Sequence, residues 1–378
     1  MRVAIVGAGP AGALAARRLA EGGVQVHVFD ASHPREKPCG GGITGKALAL
    51  LPPAPTGDPL PARRVATCRF DSGTGETVDV DLDRPVAIAA RSELDAWLLR
   101  RARDAGASHV AERVVKVGLD GRVGTAGGCH ECFDVIVGAD GASSLVRRTF
   151  LRATPPERLT MAVGWFARGD SEMLVRFTPG LEGYLWLFPR VDHVGVGLCA
   201  PLRAVPTRAL VSRLEGEALL AFPALLEEEG GRYAHTIPSP SPDPASIREI
   251  AGPGWALVGD AAALADPITG EGIYYALRSG ALLAESLLRD GSPARYPERA
   301  LEDFGRDLLK AAALRARFYA PGFAARMIRY ARHSASIRRV LGDLVLGDQG
   351  YVGLKRRLLH AGPRFLVEAG LSRLVGAA

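Results

Sequence analysis

Apolar residues follow two rhythms along this chain. Short apolar-rich segments at 3–6, 24–29, 133–137 and 255–258 read as strands, and the first and last of them are unbroken apolar runs, as in strands buried on both faces. The first and last of these lead into segments with helical spacing, 13–20 and 273 onward. Elsewhere apolar and polar residues alternate, at 64–70 and 77–82 and again through 162–166, 173–177, 183–189 and 193–198, as in a sheet with unlike faces. Apolar positions at 94, 97 and 98 predict a helix with Ser92 as its cap. The remainder is helical. This order predicts an α/β protein: a Rossmann-type nucleotide-binding domain, an inserted antiparallel-sheet domain and a helical C-terminal region. The expected boundaries are 1–62, 86–158 and 247–295 for the first, 63–85 and 159–246 for the second, and 296–378 for the third.

The turn after the first strand carries Gly7, Gly9, Ala11 and Gly12 in a GxGxxG pattern, with a strand before it and a helix after it. Asp30 closes the second strand 18 residues beyond Gly12. In that setting the glycines allow a tight turn and a close approach of pyrophosphate, and the acid accepts hydrogen bonds from a ribose. An unphosphorylated ribose, hence FAD or NAD over NADP, is expected. A second acid-glycine turn contains Asp140, either a ribose or pyrophosphate contact or a helix cap. The third such place is 259–280, where Asp260, Pro267, Gly270, Glu271 and Gly272 lie between a strand and a helix starting near Ile273. The open end of that helix aims unpaired N–H groups at an electron-rich ligand.

Cys39, Gly40, Gly41 and Gly42 follow one another, and glycines let a flat ring come within contact. Cys39 is open to three readings: packing, a thiol against a redox ring, or a nucleophile. Tyr184, Trp186 and Phe188 fall on one strand face by their period of two, as core or as the wall of an apolar substrate cavity. Cys129 and Cys132 form a lone CxxC in a predicted hairpin, and packing is expected there rather than a metal.

Composition narrows the setting. The 378 residues are 47% apolar, enough for two domains, and five irregularly spaced cysteines argue against a secreted disulfide framework and for the cytoplasm. No run of apolar residues is long enough for a transmembrane helix, and the N-terminal run is expected to be a nucleotide-binding strand, not a signal peptide. The net charge of +6 does not point to nucleic acid. Its distribution is uneven: from Ser286 onward there are 17 basic and 8 acidic residues. The arginines from 315 to 339 alternate with apolar residues, either as a solvated helical face or as a peripheral contact with an anionic membrane.

With these pieces in order the chain resembles the geranylgeranyl reductase family of flavoproteins, within the p-hydroxybenzoate-hydroxylase-like fold. The GxGxxG turn, Asp30, Arg91, the turn at Asp140 and Gly259-Asp260 carry the general part. The stretches 37–42, 184–189 and 266–273 carry the reductase part. The resemblance implies that Gly12, Asp30, Cys39, Gly40, Gly42, Arg91, Val115, Asp260, Gly272 and Ile273 contact FAD, and that Tyr184, Trp186 and Phe188 line an isoprenoid cavity. It implies saturation of an isoprenoid C=C bond by hydride from reduced FAD, with electrons from NAD(P)H or a reduced redox protein, since no second dinucleotide fingerprint is present. Cys39, Tyr184 and Glu271 are the candidate proton donors. An FAD-dependent monooxygenase or halogenase of the same fold, or a membrane-docked electron-transfer flavoprotein, are the competing readings.

Overall fold

The computed structural model describes residues 1–54, 57–128, 130–225 and 228–358. Among the described residues three sheets form. The first has six strands in the order Ala251–Gly252, Trp255–Leu257, Val135–Gly138, Arg2–Val6, Gln25–Phe29 and Ser108–Val110, parallel except for the outermost pair at the Ala251 edge. Its central strand, Arg2–Val6, is buried from Val3 to Val6, as its unbroken apolar run requires. The helix Pro10–Glu21 returns from it, with an alanine-rich buried face. That face meets the long helix Ile273–Asp290 at very close range: a Cβ on Gly280 would stand 2.4 Å from the Ala11 carbonyl oxygen. Any side chain there would push the two helices apart.

The second sheet has eight strands, in the order Glu228–Pro238, Leu159–Ala167, Val194–Pro201, Tyr184–Pro189, Met173–Phe177, Arg63–Asp71, Thr77–Ile88 and Gly42–Ile43. Every pairing is antiparallel but one. Met173–Phe177 runs parallel to Arg63–Asp71, which joins two pieces of chain about a hundred residues apart. The alternation decides the faces. Val163, Trp165, Leu185, Leu187, Val196 and Leu198 pack under the helix Thr207–Ala221, which the sequence pattern had not singled out. The opposite face, with Tyr184, Trp186 and Phe188, turns toward the first sheet. A small three-stranded sheet contains His130–Cys132. Cys129 lies outside the described residues, Cys132 is an exposed free thiol, and no metal-holding cluster occurs among the described residues.

The helix expected near 92 runs from Arg91 to Asp104, and Ser92 is not its cap. Ala90 holds that position, while the Ser92 N–H and hydroxyl both donate to the Glu36 carboxylate, at 3.1 and 2.8 Å. A carboxylate from a distant loop replaces the local cap. The C-terminal helices Phe323–His333 and Ala335–Val345 pack Ile328 and Ile337 on the Val80 and Leu82 side of the second sheet. Several arginines of the expected basic face are engaged by partners within the molecule, Arg329 and Arg332 while still exposed. Arg329 and Arg332 pair with Glu76 at 3.2 and 2.9 Å, Arg315 donates to the Thr160 hydroxyl, and Arg338 donates to the Ala331 carbonyl. No described helix is long and apolar enough to cross a membrane.

Candidate active site

Between the two large sheets lies one cavity of about 1020 Å³. At one end it is bordered by Gly7, Gly9 and Ala11, at the start of the first helix, where no side chain caps the exposed N–H groups. Farther along it is bordered by Gly270, Glu271, Gly272 and Ile273, where the long helix also begins without a side-chain cap. Two uncapped helix starts on one cavity give it two places for electron-rich groups. Gly12 is different. A Cβ on it would stand 2.0 Å from the Gly7 carbonyl oxygen, and it does not border the cavity, so it serves the close seating of the helix.

Asp30 borders the nucleotide end, already engaged. Its Oδ2 accepts from the Ala8 N–H at 2.9 Å and from His33 Nδ1 at 2.6 Å, and its Oδ1 from the N–H groups of Ser32 and His33 and the Ser32 hydroxyl. A ribose would compete with the Ser32 hydroxyl for it. Beyond His33 the contacts continue: its Nε2 is 3.0 Å from Asp95, and Asp95 accepts two hydrogen bonds from Arg91, at 3.0 and 2.9 Å. Ionised carboxylates only accept, so an imidazole held between two of them carries a proton on each nitrogen. Burial opposes that charge, but Asp30 and Asp95 raise the His33 pKa above 6.5. Burial likewise opposes ionisation of the two acids, and the cations beside them hold both below the usual range. Asp30, His33, Asp95 and Arg91 thus form a charge-balanced row along the cavity wall.

This row predicts a pH dependence. Because the folded-state pKa of His33 is raised, its contribution is complete below about pH 6.5 and is lost as pH rises through the folded value. His33→Gln is therefore expected to be less stable than the wild type at about pH 6, with the margin shrinking by about pH 9. Urea denaturation at the two pH values checks this, and an unchanged margin would reduce His33 to a packing role.

Arg91, which borders the cavity, is only 5% exposed. Asp260 accepts from Lys37 Nζ at 2.9 Å, and although burial works against its charge, Lys37 keeps its carboxyl below the usual range. Asp140 caps: its Oδ2 accepts from the N–H groups of Leu145 and Val146, while Oδ1 is buried without a partner beside the cavity. Val115 borders the rim and is more than half exposed. Of the glycine run, Gly40 does receive a flat ring, but that ring is Phe188, 2.5 Å from where a Cβ would stand. Cys39 is half-buried, its sulfur accepting from the Gly41 N–H at 3.3 Å.

Sequence reasoning missed the residues that fasten this wall. Arg190, 1% exposed, pairs with Glu36 at 2.7 Å and donates to the Cys39 carbonyl at 2.6 Å, tying the glycine run to the second sheet. Thr44 donates to the Glu271 carboxylate at 3.0 Å. His235, on the strand Glu228–Pro238, also borders the cavity, where burial and then repulsion from Lys37 hold its imidazole down at about 4. The Tyr184 hydroxyl donates to the Thr269 carbonyl. Beyond it the cavity becomes an apolar lobe, with Val175 and Phe177 from the sheet and Phe318, Leu341 and Leu344 from the C-terminal helices.

Comparison with known proteins agrees with this architecture. The model of the FAD binding domain matches residues 1–211. The menaquinone reductase of Mycolicibacterium smegmatis is 32% identical over 384 residues, covering 92% of each chain. The chain belongs to the geranylgeranyl reductase family of FAD-dependent oxidoreductases. The chloroplastic geranylgeranyl diphosphate reductase of Nicotiana tabacum is 29% identical over 318 residues, 76% of this chain and 66% of the tobacco protein. The fold is that of a geranylgeranyl bacteriochlorophyll reductase-like protein of Thermoplasma acidophilum, with a TM-score of 0.79 at 19% identity over 95% of this chain and 98% of the other. The uncapped helix starts fit the family's FAD: Gly9 and Ala11 would receive its pyrophosphate, and Gly272 and Ile273 the pyrimidine edge of its ring.

Proposed function

We propose that this flavoprotein saturates C=C bonds of an isoprenoid chain. The observation that carries the reading is the continuity of one cavity from the two open helix starts into an apolar, aromatic lobe. Bound FAD, once reduced, supplies a hydride. The protein's share is to hold the alkene in the lobe and keep water from it. Tyr184, Trp186 and Phe188 form one wall, and the C-terminal helices close the other side. A proton is needed at the second alkene carbon. Tyr184 is poorly suited, since burial raises its pKa well above 10 and its O–H is committed to Thr269. Glu271 is better suited: burial, reinforced by the Asp266 carboxylate, pushes its carboxyl up to about 7. NAD(P)H or a reduced redox protein is the external electron donor in this reading.

The experiment is anaerobic turnover of a tetraprenyl substrate by the FAD-loaded, chemically reduced protein, followed by mass spectrometry. A gain of two hydrogens per reduced bond without oxygen is expected. Product formation only in the presence of oxygen would overturn the reading in favour of a monooxygenase or halogenase.

A further inference from the structure

Two nitrogens on the second-sheet side of the cavity have no partner. Nε1 of Trp186 and Nε2 of His235 are buried without a hydrogen bond, and both side chains border the cavity. The sheet places them on one face. His235 stands opposite Ala162 on the neighbouring strand, Ala162 opposite Cys199 on the next, and Trp186 opposite Gly197 on the strand after that. The three strand spacings between their backbones amount to about 14 Å, and the indole narrows that span. A Cβ on Gly197 would stand 2.0 Å from the indole Cζ2, so the ring lies across Gly197 and packs with Ala162 and Cys199, reaching toward the His235 strand. Small residues between two nitrogen-bearing rings leave a floor on which a ligand can rest.

A buried donor left without an acceptor is costly. An indole nitrogen only donates, and a neutral imidazole can donate from Nε2. The ligand that relieves both therefore offers an acceptor. Charge narrows it further. The Lys and Arg side chains that border the cavity are Arg35, Lys37, Arg91, Arg113 and Arg148. All come from the nucleotide-binding segments, and none from the second sheet or the C-terminal helices that enclose the lobe. Lys37 acts on His235 but is already paired with Asp260, and beside Trp186 neither the second sheet nor the C-terminal helices bring a cation to the cavity, so a diphosphate seated against the indole would lack a countercharge.

We propose that Trp186 and His235 form a hydrogen-bonding subsite for an uncharged acceptor oxygen, a carbonyl or hydroxyl, on the head of a prenylated ring substrate. This rests on the isoprenoid reading above and adds the chemistry of the head group to it. FAD carries carbonyl oxygens of the same chemistry, so the test separates the two sources.

The variants are Trp186→Phe and His235→Phe, which keep a ring and remove the nitrogen, together with His235→Gln, which restores an N–H donor. Equilibrium binding to the oxidised holoenzyme is measured with a tetraprenyl naphthoquinone, with the tetraprenyl hydrocarbon lacking oxygen, and with geranylgeranyl diphosphate, alongside FAD affinity and thermal melting. Each Phe variant is expected to bind the naphthoquinone about tenfold more weakly, the loss of one buried hydrogen bond. The hydrocarbon and FAD should be unaffected, His235→Gln should recover part of the loss, and the wild type should not favour the diphosphate over the hydrocarbon. Equal losses for quinone and hydrocarbon, or no loss at all, would overturn the subsite. Loss of FAD affinity alone would assign the nitrogens to the cofactor and overturn it too. Failure of every prenyl probe to bind the wild type would instead overturn the isoprenoid reading on which it rests. Should His235→Phe not fold, Trp186→Phe decides by the same comparison.

Discussion

Replacing Asp95 by leucine is expected to cost the apoprotein about 3–5 kcal/mol of stability and to leave it unable to retain FAD. The Asp95 side chain is wholly buried and holds Arg91 through two hydrogen bonds and His33 through a third contact. Without the carboxylate, two cations remain in a wall with nearly no access to water. Leucine fills the volume but supplies no acceptor, so the penalty is that of an uncompensated charge rather than of a void. The loss should extend to both ends of the row, since Arg91 borders the cavity at one end and Asp30 at the other. Urea denaturation of the apoprotein and flavin content after gel filtration measure the two effects. A loss under about 1 kcal/mol with full flavin content would show that Arg91 and His33 find their places without Asp95.

The second large effect concerns turnover. On the proposed function, Glu271→Gln should lower the rate of alkene reduction about a hundredfold or more, within the range that a positioned general acid contributes. FAD binding and fold should persist, because the amide oxygen of glutamine can still accept from the Thr44 hydroxyl. The pH profile makes the test specific. A carboxyl with a pKa of about 7 is protonated below that value, so the wild-type rate should fall as pH rises through it, and the glutamine variant should lose that limb. Parallel profiles in the two proteins would exclude Glu271 as the proton donor.

The dinucleotide turn, the loop from Asp266 to Gly272 and the aromatic strand face were legible because each is written in contiguous residues. A strand, a few glycines and a helix in immediate succession leave the backbone little choice. The fastenings of the site obey no such local rule. Glu36 meets Arg190 across 154 positions, and Ser92, which has the look of a cap, spends its hydroxyl on the same carboxylate. His33 next to a proline reads as an ordinary loop residue until Asp95 arrives from the helix Arg91–Asp104 to hold its second nitrogen. The basic tail shows the same limit from the other side. Its amphipathic spacing is real, but that Arg329 and Arg332 find a carboxylate partner in Glu76 depends on a hairpin some 250 residues earlier.

The single parallel pairing in the second sheet bears on how the molecule is made. Its hairpin, Arg63–Asp71 with Thr77–Ile88, leaves the ribosome well before Met173–Phe177 exists to cover its open edge. Until then an unpaired strand is on offer to any neighbouring chain. The helices that press on this hairpin, carrying Ile328 and Ile337, are translated later still. A newly made chain can therefore complete its nucleotide-binding sheet while the apolar lobe beside it still lacks the wall that Phe318, Leu341 and Leu344 go on to supply.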